Sequence, residues 1–224
     1  MKHKSIAIDG LSGAGKSTMA KALAAKLGFL YVDTGAIYRT LGLFALRQGA
    51  SPSDWAEVEP LLPKVSIRMA YAADGLQHMY LGGEDVTEAI RHPEVSTAAS
   101  QISAIPEVRA FLMDMQRDMA EDYNVIMDGR DIGTVVLPNA DLKLFLTAST
   151  EARARRRYTE LVARGEQVDY DTVLSDIIER DDRDTNRAAA PLRQAEDAIL
   201  VDTSGKTLEE SLTALLHIVQ ERLA

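Results

Sequence analysis

The chain has 224 residues, of which 46% are hydrophobic and 26% charged, values that suit a globular protein with a buried core. Its net charge of −9 excludes a chain-wide surface for nucleic acid, and the absence of cysteine excludes disulfides and thiolate metal sites. No apolar run approaches the roughly 18 residues of a membrane span. We therefore expect a cytoplasmic protein without a membrane or nucleic-acid partner, and a monomer, since no exposed heptad pattern is present.

The N-terminal part of the chain predicts strands that alternate with helices. Residues 5–9 are an apolar run typical of a buried strand, and helical spacing follows over 16–27 after a glycine-rich turn. A second strand is predicted over 29–32 and a second helix over 37–48. Alternation of this kind predicts an α/β fold with a parallel sheet.

Residues 64–92 depart from this alternation. Apolar and polar residues alternate from Val65 to Met69, and two turn signals, Asp74-Gly75 and Gly82-Gly83, separate short strand-like runs. This pattern predicts a small antiparallel meander inserted into the α/β body.

The C-terminal half returns to the first pattern. Strands are predicted over 124–127, 142–147 and 198–201, and helices over about 107–122, 150–164, 169–187 and 208–223. Thr207 and Glu210 predict a capping box at the start of the last helix. Strands that read as continuous apolar runs indicate a sheet covered by helices on both faces.

Residues 10–17, GLSGAGKS, match the phosphate-loop pattern G-x-x-x-x-G-K-[ST] between a strand and a helix. The glycines let backbone amides converge on phosphate oxygens, and the helix N-terminus favours negative charge. We expect Lys16 to bridge the β- and γ-phosphates of ATP and Ser17 to help hold Mg²⁺. The candidate ATP-binding residues are Gly10, Ser12, Gly13, Ala14, Gly15, Lys16, Ser17 and Thr18.

A GTPase switch would also contain a phosphate loop. Such proteins read guanine with an Asn-Lys-x-Asp segment after a late strand, whereas the strand over 142–147 leads here into the unrelated segment 148–151. The sequence therefore favours a kinase.

Twelve arginines and one lysine, Lys143, lie between residues 109 and 193. Arginine grips phosphate through two hydrogen bonds, so this bias indicates several phosphates gathered in one place. Arg153, Arg156 and Arg157 share one helical face, where like charges repel unless an anion lies between them. A solvated or salt-bridged helix is the alternative interpretation.

Two polar segments follow predicted strands. Residues 128–131, DGRD, and residues 33–39, DTGAIYR, should face the ligand because ligands bind beyond the carboxyl ends of parallel strands. A simple helix cap is the alternative role for the start of the second segment. Arg180, Asp184 and Arg187 also share a helical face, beyond the end of its apolar stripe.

Together these segments resemble the bacterial cytidylate kinases over nearly the whole chain. The phosphate loop, DTGAIYR, the meander, ASQ at 99–101, DGRD, the arginine helix and ERDDRDTNR at 179–187 carry the resemblance, and the last string and the meander are its most specific parts. Thr34 stands where the family usually has serine, and threonine keeps the hydroxyl.

The resemblance implies an open five-stranded parallel sheet of the P-loop NTPase type, with a small antiparallel insert and a helical lid. It further implies one kinase domain with three parts. These are a core (1–63, 107–150 and 188–224), a monophosphate-binding insert (about 64–106), and lid and arginine helices (about 151–187).

The implied activity is ATP-dependent phosphorylation of CMP and dCMP in pyrimidine nucleotide metabolism, with Mg²⁺. The implied catalytic residues are Lys16, Arg130, Arg153, Arg157 and Arg187, of which Arg153 and Arg157 come from the lid. The implied substrate-binding residues are Thr34, Tyr38, Arg39, Ser100, Arg109, Asp128, Gly129, Arg130, Asp131, Arg180, Asp184 and Arg187.

Within this set the resemblance implies separate roles. Arg39, Arg130 and Arg187 would hold the acceptor phosphate, and Arg180 and Asp184 would meet the ribose hydroxyls. Ser100, Arg109 and Asp131 would read the base, in a pocket lined by Tyr38.

The chemistry of the base agrees with these roles. A carboxylate such as Asp131 accepts from the N4 amino group of cytosine, while Arg109 and Ser100 donate to N3 and O2. Uracil presents O4 instead of the amino group, and one such mismatch costs about 1–3 kcal/mol.

Two alternatives remain at this point. Another small-molecule P-loop kinase could phosphorylate a different nucleotide or a hydroxylated metabolite, although three convergent arginines exceed what a neutral acceptor needs. A non-catalytic nucleotide-binding regulator would keep the phosphate loop but has no use for Arg130, Asp131, Arg180, Asp184 and Arg187 together.

Overall fold

The structure, a computed structural model, describes residues 3–71 and 77–223. The strands are β1 (Ser5–Gly10), β2 (Leu30–Asp33), β3 (Ile67–Tyr71), β4 (Gln77–Leu81), β5 (Glu84–Asp85), β6 (Val125–Asp128), β7 (Leu142–Thr147) and β8 (Ile199–Asp202). The α-helices are α1 (Lys16–Leu27), α2 (Thr34–Arg47), α3 (Trp55–Val58), α4 (Pro93–Ile102), α5 (Pro106–Asp122), α6 (Thr150–Ala163), α7 (Tyr170–Asn186) and α8 (Leu208–Leu223).

Five strands form one sheet in the order β2-β6-β1-β7-β8. β1 pairs in parallel with β6 and β7, and β8 pairs in parallel with β7. Ile8 is aligned with Asp128, so the segments that follow β1 and β6 leave the sheet at the same edge. The predicted five-stranded parallel sheet is confirmed.

The chain forms two compact units, one comprising Met1–Leu30 and Ala120–Ala224, the other Tyr31–Met119. The first unit buries the apolar side chains of its central strands, including Ile6, Ile8, Ile126, Met127 and Leu144. The second unit has a core of its own, which includes Ile37, Leu41, Met79, Ile102 and Leu112. Since these side chains are at most 1% exposed, each unit contains a tightly closed apolar interior.

The predicted antiparallel insert is present in the second unit as the sheet β3-β4-β5. Gly82 and Gly83 make the turn between β4 and β5 with φ of +58° and +95°, a conformation that favours glycine. The other predicted turn, Asp74-Gly75, lies outside the described residues.

Helix caps explain where several helices begin. The Asp33 side chain accepts a hydrogen bond from Ala36 N, so α2 begins at Thr34, three residues earlier than its apolar periodicity indicates. The predicted capping box is also present, because Glu210 accepts from Thr207 N at 2.8 Å and Thr207 Oγ1 accepts from Glu210 N at 3.2 Å.

Five elements within residues 3–71 and 77–223 were absent from the sequence prediction. They are α3, α4, 3₁₀ helices over Glu59–Lys64 and Ala89–Arg91, and a π-helical segment over Ile132–Val136. Most are too short for a periodic signal, and α4 buries mainly small side chains, among them Ala98 and Ala99. None of the helices within residues 3–71 and 77–223 combines the length and the apolar character needed to cross a membrane.

Candidate active site

The phosphate loop joins β1 to α1 in the first unit. Gly10 has φ of +144°, and a Cβ atom there would overlap the carbonyl oxygen of Leu146 on the neighbouring strand. Gly15 has φ of +86° at the start of α1. Both positions therefore require glycine, and the predicted strand–loop–helix arrangement is present.

Lys16 is the first residue of α1, and its side chain is folded against the loop. Its Nζ donates to Leu11 O at 2.7 Å, and the residue is only 6% exposed. Burial lowers the pKa of Lys16 well below its usual value, and the nearby positive charges of Arg130 and Arg180 act in the same direction. An anion next to this ammonium would replace the hydration that burial removes.

The loop hydroxyl assigned to Mg²⁺ faces a carboxylate. Ser17 Oγ donates to Asp128 Oδ2 at 2.8 Å, which brings the end of β6 to the start of α1. A hydroxyl and a carboxylate oxygen this close are hard oxygen ligands of the kind that Mg²⁺ prefers, and they would hold the ion beside the phosphate loop. The residues present therefore fit the expected ion.

Asp9 was not among the predicted site residues, yet it organises this edge of the sheet. It is 4% exposed and accepts hydrogen bonds from the backbone N of Ile132 and of Gly133, both at 2.7 Å. Burial raises the pKa of Asp9 to about 6, although the two hydrogen bonds oppose that shift. Asp9 thereby anchors the chain directly after DGRD. The available signal was a carboxylate at the end of an apolar strand, immediately before the first loop glycine.

DGRD and α7 meet through buried ion pairs. Arg130 Nε donates to Asp184 Oδ2 at 2.8 Å, and Asp184 is 4% exposed. Burial acts to lower the pKa of Arg130, but the Asp184 carboxylate outweighs it and raises that pKa. Burial likewise acts to raise the pKa of Asp184, and Arg130 and then Arg180 reverse the effect, so that pKa is lowered. Both groups are therefore held in their charged forms.

A second pair lies beside the first. Arg187 Nη2 donates to Asp131 Oδ1 at 3.3 Å, and Arg187 Nε donates to Ala190 O at 2.7 Å. Gly129, directly before Arg130 in sequence, donates its backbone N–H to Ile8 O at 3.0 Å. Five predicted residues, Gly129, Arg130, Asp131, Asp184 and Arg187, are thus brought together.

Arg153 of α6 is almost fully buried, at 2% exposure, against the phosphate loop. Its Nη1 donates to Ser12 O at 3.0 Å and to the Asp181 carboxylate, and Nε donates to Ala148 O at 3.0 Å. Asp181 also accepts a long hydrogen bond of 3.4 Å from Ser12 N. A carboxylate from α7 is therefore paired with the backbone amide of a loop residue that was predicted to bind phosphate.

The other two arginines on this face of α6 have different partners. Arg156 donates from Nη1 to Thr203 Oγ1 at 3.1 Å and from Nη2 to Thr203 O at 2.7 Å. Thr203 Oγ1 in turn donates to Ala14 O at 3.3 Å, so Thr203 connects Arg156 to the backbone of the phosphate loop. Arg157 pairs with Glu160 on its own helix at 3.0 Å. The structure thus joins Arg153 and Arg156 to the loop region, while Arg157 has a local partner.

Thr18 and Arg180 complete the predicted residues of the first unit. Thr18 is an exposed residue of α1. Arg180 lies on α7, where its charge acts on both Lys16 and Asp184.

The second unit contains the segment 33–39. Arg39 Nη2 pairs with Asp33 Oδ2 at 2.8 Å, on the carboxylate that also caps α2. Thr34, the first residue of α2, is 3% exposed. The helix cap and the arginine partner are therefore the same side chain.

The same unit brings two predicted base-reading residues, Ser100 and Arg109, and the predicted pocket residue Tyr38 into one chain of contacts. The guanidinium carbon of Arg109 lies 5.6 Å from the centre of the Tyr38 ring. Arg109 Nη1 donates to Ser103 O at 3.3 Å, and Ser103 Oγ donates to Ser100 O at 3.1 Å. Tyr38, Ser100 and Arg109 are each less than 9% exposed. Asp131, the carboxylate assigned to the base, belongs to the first unit.

Known proteins provide an independent comparison. A family model described as cytidylate kinase matches residues 6–221. The cytidylate kinase of Caldicellulosiruptor bescii is 51% identical over 218 residues, which cover 97% of this chain and 96% of that protein. The cytidylate kinase of Carboxydothermus hydrogenoformans is 50% identical over 214 residues, 96% of each chain.

Among solved structures, a shikimate kinase from Bacteroides thetaiotaomicron superposes with a TM-score of 0.50 at 15% identity, covering 97% of this chain and 98% of that one. At this identity the likeness concerns the fold alone. The match of the family model and the high identity of the relatives establish more than the fold: this chain belongs to the cytidylate kinase family.

Proposed function

We propose that this protein transfers the γ-phosphoryl group of ATP to CMP, and also to dCMP, as a step of pyrimidine nucleotide metabolism. Family membership supports both the donor and the acceptor. The observation that carries the proposal is the pairing of Arg130 with Asp184 and of Arg187 with Asp131, in the same unit as the phosphate loop. A neutral acceptor needs no such set of buried guanidinium groups.

The acceptor phosphate is assigned to Arg39, Arg130 and Arg187. Each has a carboxylate partner, so its guanidinium is oriented and charged before substrate arrives. Because a phosphate monoester carries nearly two negative charges, it competes with the carboxylates for hydrogen bonds from these guanidinium groups. In the free enzyme the carboxylates thus compensate the positive charge of the arginines. When the acceptor phosphate binds, part of the hydrogen bonds from the arginines pass from the carboxylates to the phosphate.

Recognition of the nucleoside is assigned to polar and charged side chains that suit the cytosine edge and the ribose. Asp131 accepts from the N4 amino group, and Arg109 and Ser100 donate to N3 and O2. Arg180 and Asp184 meet the ribose hydroxyls. This arrangement prefers cytosine to uracil by about 1–3 kcal/mol for each mismatched hydrogen bond.

The donor is assigned to the phosphate loop, with Lys16 on the β- and γ-phosphates. Mg²⁺, held through Ser17 and Asp128, would neutralise charge on the phosphates when bound. The acceptor phosphate oxygen is already a nucleophile, so the residues act by in-line positioning and charge stabilisation, and no general base is needed.

The arginine helices are assigned to a lid over the transferring phosphates. Arg153 already contacts the loop through Ser12 O, which supports its role, and Arg157 would exchange Glu160 for phosphate when the lid closes. Closure excludes water and suppresses hydrolysis of ATP. In this proposal one kinase domain has a core, an insert at about 64–106 and a lid at about 151–187. It works as a cytoplasmic monomer without nucleic-acid or membrane partners.

The test is release of ADP from ATP with CMP, dCMP, UMP, AMP and GMP supplied separately, with Mg²⁺ and with EDTA. Strong turnover of the cytidine compounds that requires Mg²⁺ is expected, with weaker use of UMP and little use of the purines. Lys16→Ala should abolish turnover, whereas Lys21→Ala on the same helix serves as the matched control. Turnover with a different acceptor would overturn the base assignment, and no turnover with any acceptor would favour a nucleotide-binding regulator.

A further inference from the structure

The amide of Gln77, the first residue of β4, bonds to the backbone of Asp33. Gln77 is 9% exposed. Its Oε1 accepts from Asp33 N at 2.8 Å, and its Nε2 donates to Asp33 O at 3.3 Å. One side chain thus forms hydrogen bonds with both the backbone N–H and the backbone carbonyl of Asp33, as the backbone of a neighbouring strand would do.

A second side chain of the insert bonds to the backbone of β2, at the residue two positions before Asp33. The Tyr71 hydroxyl donates to Tyr31 O at 2.8 Å. Burial raises the pKa of Tyr71, so the phenol remains a donor at every physiological pH. Tyr71 and Gln77 are register partners in the β3–β4 ladder. The insert therefore bonds to alternate residues of β2 through a cross-strand pair of side chains.

Asp33, whose backbone Gln77 holds, in turn positions Arg39. Its carboxylate caps α2 at Ala36 N and holds Arg39 Nη2, so its position sets both the helix start and the arginine. Within the described part of the chain, the buried Nε of Arg39 has no hydrogen-bond partner. One edge of this guanidinium is fixed by Asp33, and Nε retains an unused hydrogen-bond donor.

We propose that Gln77, assisted by Tyr71, is a positioning residue for the acceptor phosphate, acting through Asp33 on Arg39. This inference rests on the proposed function, and it gives the insert a specific role in acceptor binding. Both ends of the Gln77 amide are engaged by Asp33, so Gln77 itself does not contact the substrate. It sets the location of a guanidinium, and a misplacement near 1 Å is enough to weaken phosphate binding strongly.

The test compares Gln77→Ala, Gln77→Glu and Tyr71→Phe with the wild type. We expect Gln77→Ala to raise the KM for CMP by about tenfold while the KM for ATP stays within twofold. Gln77→Glu keeps the acceptor for Asp33 N but repels Asp33 O. Its KM for CMP should therefore lie between those of the wild type and Gln77→Ala. Because the effect acts on the phosphate shared by all acceptors, the ratio of CMP to dCMP to UMP use should not change.

His78→Ala provides the matched control. His78 lies next to Gln77 on β4, but its Nδ1 contacts Asp85 at 2.8 Å within the insert. Its removal should leave the KM for CMP unchanged. Thermal unfolding of every variant separates a loss of stability from a loss of positioning, since a purely structural role lowers the midpoint without a selective change in KM.

A double-mutant cycle with Arg39→Ala tests whether Gln77 acts through Arg39. If Gln77 acts through Arg39, Gln77→Ala should add little to the KM for CMP in the Arg39→Ala background. Full additivity would overturn the route, and an unchanged KM in Gln77→Ala would overturn the inference itself. A wild type that does not phosphorylate CMP would instead refute the proposed function. Should Gln77→Ala not fold, Gln77→Glu and Tyr71→Phe give the same comparison.

Discussion

The two units hold their functional side chains in different ways. In the first unit, Arg130, Arg153 and Arg187 pair with carboxylates that are 54, 28 and 56 residues away in sequence. In the second unit, Arg39 and Arg109 bond to groups only six residues away. The first set joins separate elements by charge, while the second is fixed within a helix start or a local turn.

This difference has a consequence for ligand binding. Ion pairs between elements can be exchanged for phosphate oxygens, so the first unit changes its hydrogen bonds when a nucleotide arrives. In the second unit, the backbone oxygen of Ser103 holds Arg109, and phosphate does not replace such a contact. We therefore expect substitutions of the carboxylates in the first unit to affect stability and phosphate binding together.

The largest expected effect concerns the buried pair of Arg130 and Asp184. Asp184→Ala leaves the Arg130 guanidinium buried without its carboxylate, and breaking such a pair costs about 3–5 kcal/mol of the free energy of unfolding. It should also change the ratio of CMP to dCMP turnover. Denaturant unfolding and the two turnover rates are the measurements.

Asp182→Ala on the exposed side of the same helix is the control for that change and should shift unfolding by less than about 0.5 kcal/mol. A loss for Asp184→Ala as small as that of the control would mean that water replaces the carboxylate. An unchanged CMP to dCMP ratio would refute the ribose assignment.

The next effect depends on pH and concerns Asp9. Burial raises the pKa of Asp9 to about 6, above the ordinary aspartate value that holds in the unfolded chain. Between those two values the folded state binds more protons, so this contribution to stability is full at low pH and is lost as pH rises towards 6. Its size is about 3 kcal/mol, because one pKa unit corresponds to about 1.4 kcal/mol.

Asp9→Asn removes the titration and keeps the shape. The difference in the free energy of unfolding between wild type and Asp9→Asn should therefore favour the wild type more at pH 4.5 than at pH 7.5. A difference that does not vary with pH would show that Asp9 does not titrate in this range. The comparison cancels the pH dependence of all other carboxylates, which both proteins share.

Base selection is the third effect, and it tests whether a first-unit carboxylate can be specific for one ligand group. Asp131→Ala should lower kcat/KM for CMP by about 10- to 100-fold, equivalent to about 1–3 kcal/mol, with the KM for ATP within twofold. Asp131→Asn is the informative companion, since its amide can either accept from cytosine or donate to uracil. It should reduce the preference for CMP over UMP. Equal losses for CMP and ATP would refute the base-reading role.

The sequence predicted the parts of this molecule that have periodic or motif signals. The strands β1 and β7, the helix α1 and the phosphate loop were located almost to the residue, because apolar runs and the Gly-Lys-Ser spacing are local properties. Asp9, Asp181 and Gln77, which the sequence did not predict, act through partners that are 28 to 169 residues distant. No local pattern encodes such partners.

The π-helical segment after DGRD illustrates the same limit. Its sequence, Ile132–Val136, reads as an apolar run, and its start is fixed by two backbone amides that donate to Asp9. The arginine spacing on α6 predicted a shared helical face, but it could not tell that Arg153 faces Asp181 while Arg157 faces Glu160. Partner choice depends on tertiary packing, which single-sequence spacing does not contain.

The smallest expected effect tests the exchange of ion pairs most directly. Asp181 contacts Ser12 N and Arg153, so a phosphate that binds this loop amide has to displace its carboxylate. Asp181→Asn removes the competing charge while its amide oxygen can still accept from Arg153, and the Kd for ATP without acceptor should fall about two- to fivefold, equivalent to about 0.4–1 kcal/mol. Asp182→Asn should have no effect. If ATP instead binds more weakly to Asp181→Asn, the carboxylate holds the loop in its binding conformation, and the first unit would then resemble the second in fixing its site before the ligand arrives.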